Sequence, residues 1–109
     1  MRTIIITGDN IINLDNGENE ITELNISAAL SLERLYCNDN LLTSLTVSAN
    51  TKLEELSVQN NDMDKDALDA LFDSLPEAAG EIYIDGNSGV AAFSGVYSVA
   101  TGKGWTVYD

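Results

Sequence analysis

The sequence predicts an α/β solenoid of right-handed wind, whose parallel sheet takes one strand from each successive turn. Leu32, Leu35, Cys37, Asn40 and Leu42 recur 21 residues later as Leu53, Leu56, Val58, Asn61 and Met63. Matched positions at one spacing mark a stacked repeat. Within each copy, apolar and polar residues alternate over short runs, the period of half-buried strands. Further on, Leu68, Leu71, Phe72 and Leu75 fall at i, i+3, i+4 and i+7, the stripe of an amphipathic helix. The outer side of the coil is therefore expected to be strand-like in the N-terminal turns and helical in the C-terminal ones.

The 109 residues make one domain. Residues 1–10 are expected to supply a capping strand, with the β-rich run Thr3–Thr7 closed by the turn signal Gly8-Asp9-Asn10. An end unit of this kind keeps water from the open face of a terminal repeat. Residues 11–63 carry the regular 21-residue repeats. Ile11, Leu14, Asn19 and Ile21 precede Leu32, Leu35, Asn40 and Leu42 in phase, and Leu24 and Ile26 precede Leu45 and Val47. Each turn thus holds two short strands, one around Leu14 or Leu35 and one around Leu24 or Leu45. Asn16 stands in the slot of Cys37 and Ala29 in that of Asn50, which weakens the first copy.

Residues 64–109 form longer units. The first helix ends at Pro76. Ile82, Ile84 and Asn87 then restate Leu56, Val58 and Asn61 after an interval of 26. A second, short helix is expected between Gly89 and Thr101, through Phe93, Val96, Tyr97 and Ala100. Trp105–Tyr108 reads as a last strand of the main sheet. The asparagines after each strand (Asn19, Asn40, Asn61, Asn87) are expected to form a ladder whose amides bond backbone that has left the sheet.

Composition removes several classes of function. The net charge is −13, and the five basic residues, Arg2, Arg34, Lys52, Lys65 and Lys103, are never closer than 13 positions. No phosphate-binding stripe can be built from them, so neither nucleic acid nor an anionic membrane surface is an expected partner. No apolar run reaches spanning length, so membrane insertion is not expected, and the first residues lack a secretory cleavage pattern. Cys37 is the only cysteine. It occupies an inward slot, and a buried structural thiol is the expectation.

Histidine is absent, which removes Ser-His and Cys-His pairs and imidazole metal sites. Paired carboxylates need a cleft that a short coil does not offer, so no enzyme, no catalytic residue and no cofactor is expected. Asp62-x-Asp64-x-Asp66 imitates the start of a calcium loop. Ala67 stands where that loop wants glycine, Met63 belongs to the core, and Asp66 opens the helix. Acids at the positive end of the helix dipole account for the string better than a metal site.

The exposed face of the main sheet is the remaining candidate. If Leu35, Cys37, Leu56, Val58, Ile82, Ile84, Trp105 and Val107 point inward, then Arg34, Tyr36, Asn38, Glu55, Ser57, Gln59, Glu81, Tyr83, Asp85, Thr106 and Tyr108 point outward. Tyr36, Tyr83 and Tyr108, with Glu55 and Asp85, are the expected ligand contacts. Tyrosine offers contact area and a hydrogen-bonding tip at low entropic cost.

The pattern Leu-x-x-Leu-x-(Leu/Cys/Val)-x-x-Asn-x-(Leu/Met), carried by Leu32–Leu42 and Leu53–Met63, resembles the leucine-rich repeat. The stretch Leu-Tyr-Cys-Asn-Asp-Asn-x-Leu-Thr-Ser-Leu-x-Val-Ser-x-Asn-Thr is similar to the short repeats of secreted or surface proteins of gut commensal bacteria. That resemblance implies an extracellular or cell-surface location and a binding module for protein or carbohydrate ligands on the concave sheet. The alternative is a structural end segment or spacer of a larger surface protein, associating with itself through its C-terminal edge strand.

Overall fold

The computed structural model describes residues 2–109, so Met1 at the head of the expected cap lies outside the described residues. Seven three-residue strands carry an α/β fold of two open parallel sheets, neither closed into a barrel. The larger sheet runs β2 (Asn13–Asp15), β4 (Arg34–Tyr36), β5 (Glu55–Ser57), β6 (Glu81–Tyr83) and β7 (Thr106–Tyr108) in that order. Its central row, Leu14, Leu35, Leu56, Ile82 and Val107, pairs residue for residue across all five strands. The 21-residue period therefore sets the register, and the interval of 26 continues it. The smaller sheet pairs β1 (Thr3–Ile5) with β3 (Glu23–Asn25). The first strand thus lines the opposite side of the chain from the main sheet.

Several expectations change. The segment around Leu45 forms no strand. Leu45 and Val47 are buried as the repeat requires, but Val47 N–H donates to Ser74 Oγ at 3.1 Å instead of to β3. Ser74 is the last residue of the first helix, α1 (Lys65–Ser74), so the helix takes up the Val47 N–H. The second helix is broken into a 3₁₀ turn (Val90–Phe93) and a single α-turn, α2 (Ser98–Thr101). Ser94 (φ 51°) and Gly95 (φ 78°) between them are left-handed, and Val96 turns out to solvent at 64% exposure. The strands are also shorter than the apolar runs suggest, with β1 ending at Ile5.

Asparagine amides hold the strand ends together. Asn61 Nδ2 donates to Val58 O (3.0 Å) and Gln59 O (3.3 Å) of its own repeat and to Cys37 O (3.1 Å) of the one before. Its Oδ1 accepts from Leu42 N–H at 3.0 Å. Asn40 and Asn87 repeat the arrangement, bonding Cys37 O and Asn16 O, and Ile84 O and Val58 O. The Asn19 side chain does not join: it is exposed and donates only to Gly17 O, because no earlier repeat lies beneath it, while its backbone N–H donates to Asn40 Oδ1 at 2.9 Å. A further buried amide, Asn50, spans to Ile26 O and Ala29 O on the other side of the chain.

The residue before each of the four repeat asparagines, Asn19 included, is left-handed: Glu18, Asp39, Asn60 and Gly86, at φ 59°, 58°, 56° and 79°. At Gly86 a Cβ would lie 2.0 Å from Asn60 Oδ1, so a larger residue there requires the Asn60 side chain to move.

The core is a thin layer between sheet and outer side, with Leu32, Leu35, Leu42, Leu53, Leu56, Met63, Leu68 and Leu71 fully buried. Cys37 lies in it; burial pushes its thiol up to about 12, and Sγ donates to Ser57 O at 3.4 Å. At the C-terminal side, Asp64 Oδ1 caps α1 by accepting from Ala67 N–H at 2.9 Å. Lys103 Nζ closes its other end, donating to Asp73 O (2.5 Å), Leu75 O (2.9 Å) and Phe72 O (3.3 Å). A cation there complements the negative end of the helix dipole. Trp105 precedes β7 rather than lying in it; its ring covers Gly80 and its Nε1–H donates to Pro76 O at 2.7 Å. Tyr97 donates to the Asp109 carboxylate, and burial with that bond pushes its phenol up to about 12.

Asn61→Ala strands one buried N–H and several carbonyls, so a loss of about 2–4 kcal/mol is expected in urea unfolding. Asn19→Ala, which breaks only an exposed local bond, is expected to cost less than about 0.5 kcal/mol. Equal losses for the two would show that the ladder does not carry the fold.

Candidate functional site

Register decides what the exposed face of the larger sheet presents. One outward row runs Asn13, Arg34, Glu55, Glu81 and Thr106, and the next runs Asp15, Tyr36, Ser57, Tyr83 and Tyr108. Carboxylates and phenols are thus laid side by side by parallel pairing, with no loop needed to aim them.

Four of the five expected contacts lie together on this face, beside Glu81, which was not among them. Tyr36 Oη donates to Glu55 Oε2 at 2.8 Å, and Arg34 reaches Glu54 (3.3 Å) and Glu55 (3.8 Å). Tyr83 Oη donates to Glu81 Oε2 at 3.2 Å. Tyr83 and Tyr108 stack, with ring centroids 4.7 Å apart and planes inclined by 12°. Glu81 is the acid that serves this pair, and the 26-residue interval carried the signal for it, since it sets Glu81 beside Glu55. Asp85 stands apart, exposed in the loop after β6, where its carbonyl accepts from Asn60 N–H.

Ser57 departs from expectation. It lies on the outward row, yet it is 6% exposed, shaded by the larger side chains on both sides. Its Oγ makes no hydrogen bond among the described residues. Gln59 Oε1, past the end of β5, is buried without a partner.

The acids raise the phenols' pKa values above the ordinary 10.0. For Tyr36 the bond to Glu55 is the main cause, for Tyr83 burial followed by the bond to Glu81, and for Tyr108 the charge of Glu81. The face therefore holds neutral phenols among negative carboxylates, with Arg34 its one cation among the described residues.

A second concavity, of about 330 Å³, opens where the strand around Leu45 is missing. Glu23, Asn25, Ser27, Ser44, Thr46, Ser48 and Asn50 line it, and Asn50 Oδ1 is buried without a partner. Sequence reasoning missed it because it rests on a strand that does not form. No aromatic ring lines it.

The acidic string takes up helix work. Asp64 is the cap of α1 and Asp66 lies in its first turn, while Asp62 is exposed. No grouping of three or more acids or thiols that would hold a metal ion occurs among the described residues. Among the described residues no helix is long and apolar enough to cross a membrane. Neither a scan against models of protein families nor searches of curated proteins and of solved structures finds a match to this chain.

Removing the Glu81 charge should let Tyr108 ionise at lower pH. In Glu81→Gln, the tyrosinate absorbance of the folded protein is expected to rise earlier in an alkaline titration. A raised phenol pKa favours the folded state below about pH 10 and loses that advantage as pH climbs through the folded value. The alkaline decline in stability should therefore also be shallower in Glu81→Gln. An unchanged titration would show that Glu81 does not govern these rings.

Proposed function

We propose that the chain is a leucine-rich-repeat solenoid acting as a binding module, on or outside a bacterial cell, for a protein or carbohydrate ligand. The repeat reading is supported by in-register parallel pairing at the 21-residue period and by the asparagine bonds between successive repeats. The ligand site is the outward face of the five-stranded sheet, built from Tyr36, Tyr83, Tyr108 and Glu55, with Asp85 at its margin.

One observation carries the assignment: three tyrosines share a single outward register row, two of them stacked. Tyr108 is 43% exposed, so its ring is available to a partner. Binding rather than catalysis is proposed because the face is open and carries neither imidazole nor a reactive thiol; Cys37 is in the core.

A second reading, a structural spacer that associates with its own copies, draws on β2 and β7. Both are edge strands of the larger sheet, and an unpaired edge invites another strand. Sedimentation at high concentration separates the readings, since a spacer of this kind would self-associate.

A ligand recovered from glycan arrays or protein display should lose at least about tenfold in affinity to Tyr83→Ala combined with Tyr108→Ala, the loss of about 1.4 kcal/mol or more that aromatic contacts supply. Circular dichroism should stay unchanged. Undiminished binding by that variant would place the site elsewhere.

A further inference from the structure

We propose that the sheet face takes an arginine side chain of a partner protein, seated over Ser57 between Tyr36 and Tyr83. The proposal rests on the reading of this face as a binding surface and names the chemistry of what it binds.

The outward row is an aromatic stack with one member missing. Tyr83 and Tyr108, on adjacent strands, set their rings 4.7 Å apart. Tyr36 and Tyr83 lie two strands apart, about 10 Å by strand spacing, and the position between them holds Ser57. Serine brings no ring to that place. A planar group entering from outside can lie against the flanking rings as Tyr108 lies against Tyr83.

Ser57 offers a hydroxyl at the floor of that place. Only 6% of the residue is exposed, and its Oγ, which bonds no described residue, is part of what reaches the surface, so it is open to a donor from outside. The carboxylates supply the charge. Glu55 and Glu81 flank the slot in the adjoining row, with Glu54 and Asp85 beyond them, on a chain of net charge −13. Arg34 neutralises part of this at one end through Glu54 and Glu55, and it also donates to Asn13 Oδ1. The Glu81 end has no cation of its own within the described residues.

Guanidinium meets all three demands at once. It is planar and stacks on aromatic faces, it is always charged, and it presents several donors in a plane to carboxylates and a hydroxyl. An ammonium group answers the charge alone, and a neutral sugar leaves the carboxylates uncompensated. Anionic ligands are repelled.

The test uses short peptides identical except for a central residue that is arginine, lysine or citrulline, titrated into the full chain by nuclear magnetic resonance. The arginine peptide is expected to bind at least about tenfold more tightly than the other two, a difference that a stacked, bidentate group creates over a point charge or a neutral isostere. Its amide shifts should centre on Ser57 and Tyr83. Ser57→Phe, which completes the stack from within, should abolish the preference, and Glu81→Gln should weaken arginine binding without touching the core.

Equal binding of the arginine and lysine peptides would overturn the proposal, as would an arginine preference that survives both variants. If no cationic peptide binds while another ligand depends on Tyr83 and Tyr108, the arginine assignment fails and the binding-module reading stands. If no ligand of any class depends on those tyrosines, both fail.

Discussion

Every strand of this protein is three residues long, so the backbone leaves the sheet almost as soon as it enters it, and its polar groups need partners at once. Asparagine side chains supply them. One amide presents two donors and an acceptor in a plane, so Asn61 satisfies carbonyls in two successive repeats and an N–H in the earlier one. The left-handed residue ahead of each such asparagine turns the chain toward the position its amide must reach. Asn19 shows the limit of the device: with no earlier repeat to bond, the same side chain in the same slot is only a surface group. At the same end of the larger sheet, Asn16 keeps both amide atoms buried and unpartnered.

Because the ladder locks each repeat directly above the last, pairing is residue to residue and side chains align in rows. The inward row becomes a leucine-rich layer; the outward rows become lines of phenols and carboxylates. Alignment of this kind concentrates chemistry that is dilute in the sequence. Glu55 and Glu81 are far apart along the chain, yet they are neighbours on the face, and so are Ser57 and Tyr83. The chain's acidity is general, but only on this face does it lie beside aromatic rings in register.

The C-terminal half is held by a different set of forces. α1 buries Leu68, Leu71 and Phe72, and Phe72 meets Phe93 and Tyr97 edge-on at 5.5 and 5.9 Å. Lys103 ties the end of α1 to the approach of β7, and Trp105 seals the edge of the core against Gly80. The stacked Tyr83–Tyr108 pair stands on β6 and β7, and β7 packs against α2. A rigid support lowers the entropy that a ligand contact must overcome.

Periodicity by itself determined the parallel sheet, its register through the first repeats, the inward leucines, the first helix and the outward direction of the tyrosines. These follow from local rules: a period of two for strands, 3.6 for helices, and one repeat length for stacking. Tertiary structure decided the rest. Around Leu45 no strand forms, and the Val47 N–H is taken by Ser74 of α1. The fate of the second helical stripe depended on Ser94 and Gly95 adopting left-handed backbone, after which Val96 could no longer face inward. Burial of Ser57, the pairing of Glu81 with Tyr83 and the stacking of two rings required side chains from different repeats to meet, and no spacing rule within one repeat encodes such a meeting.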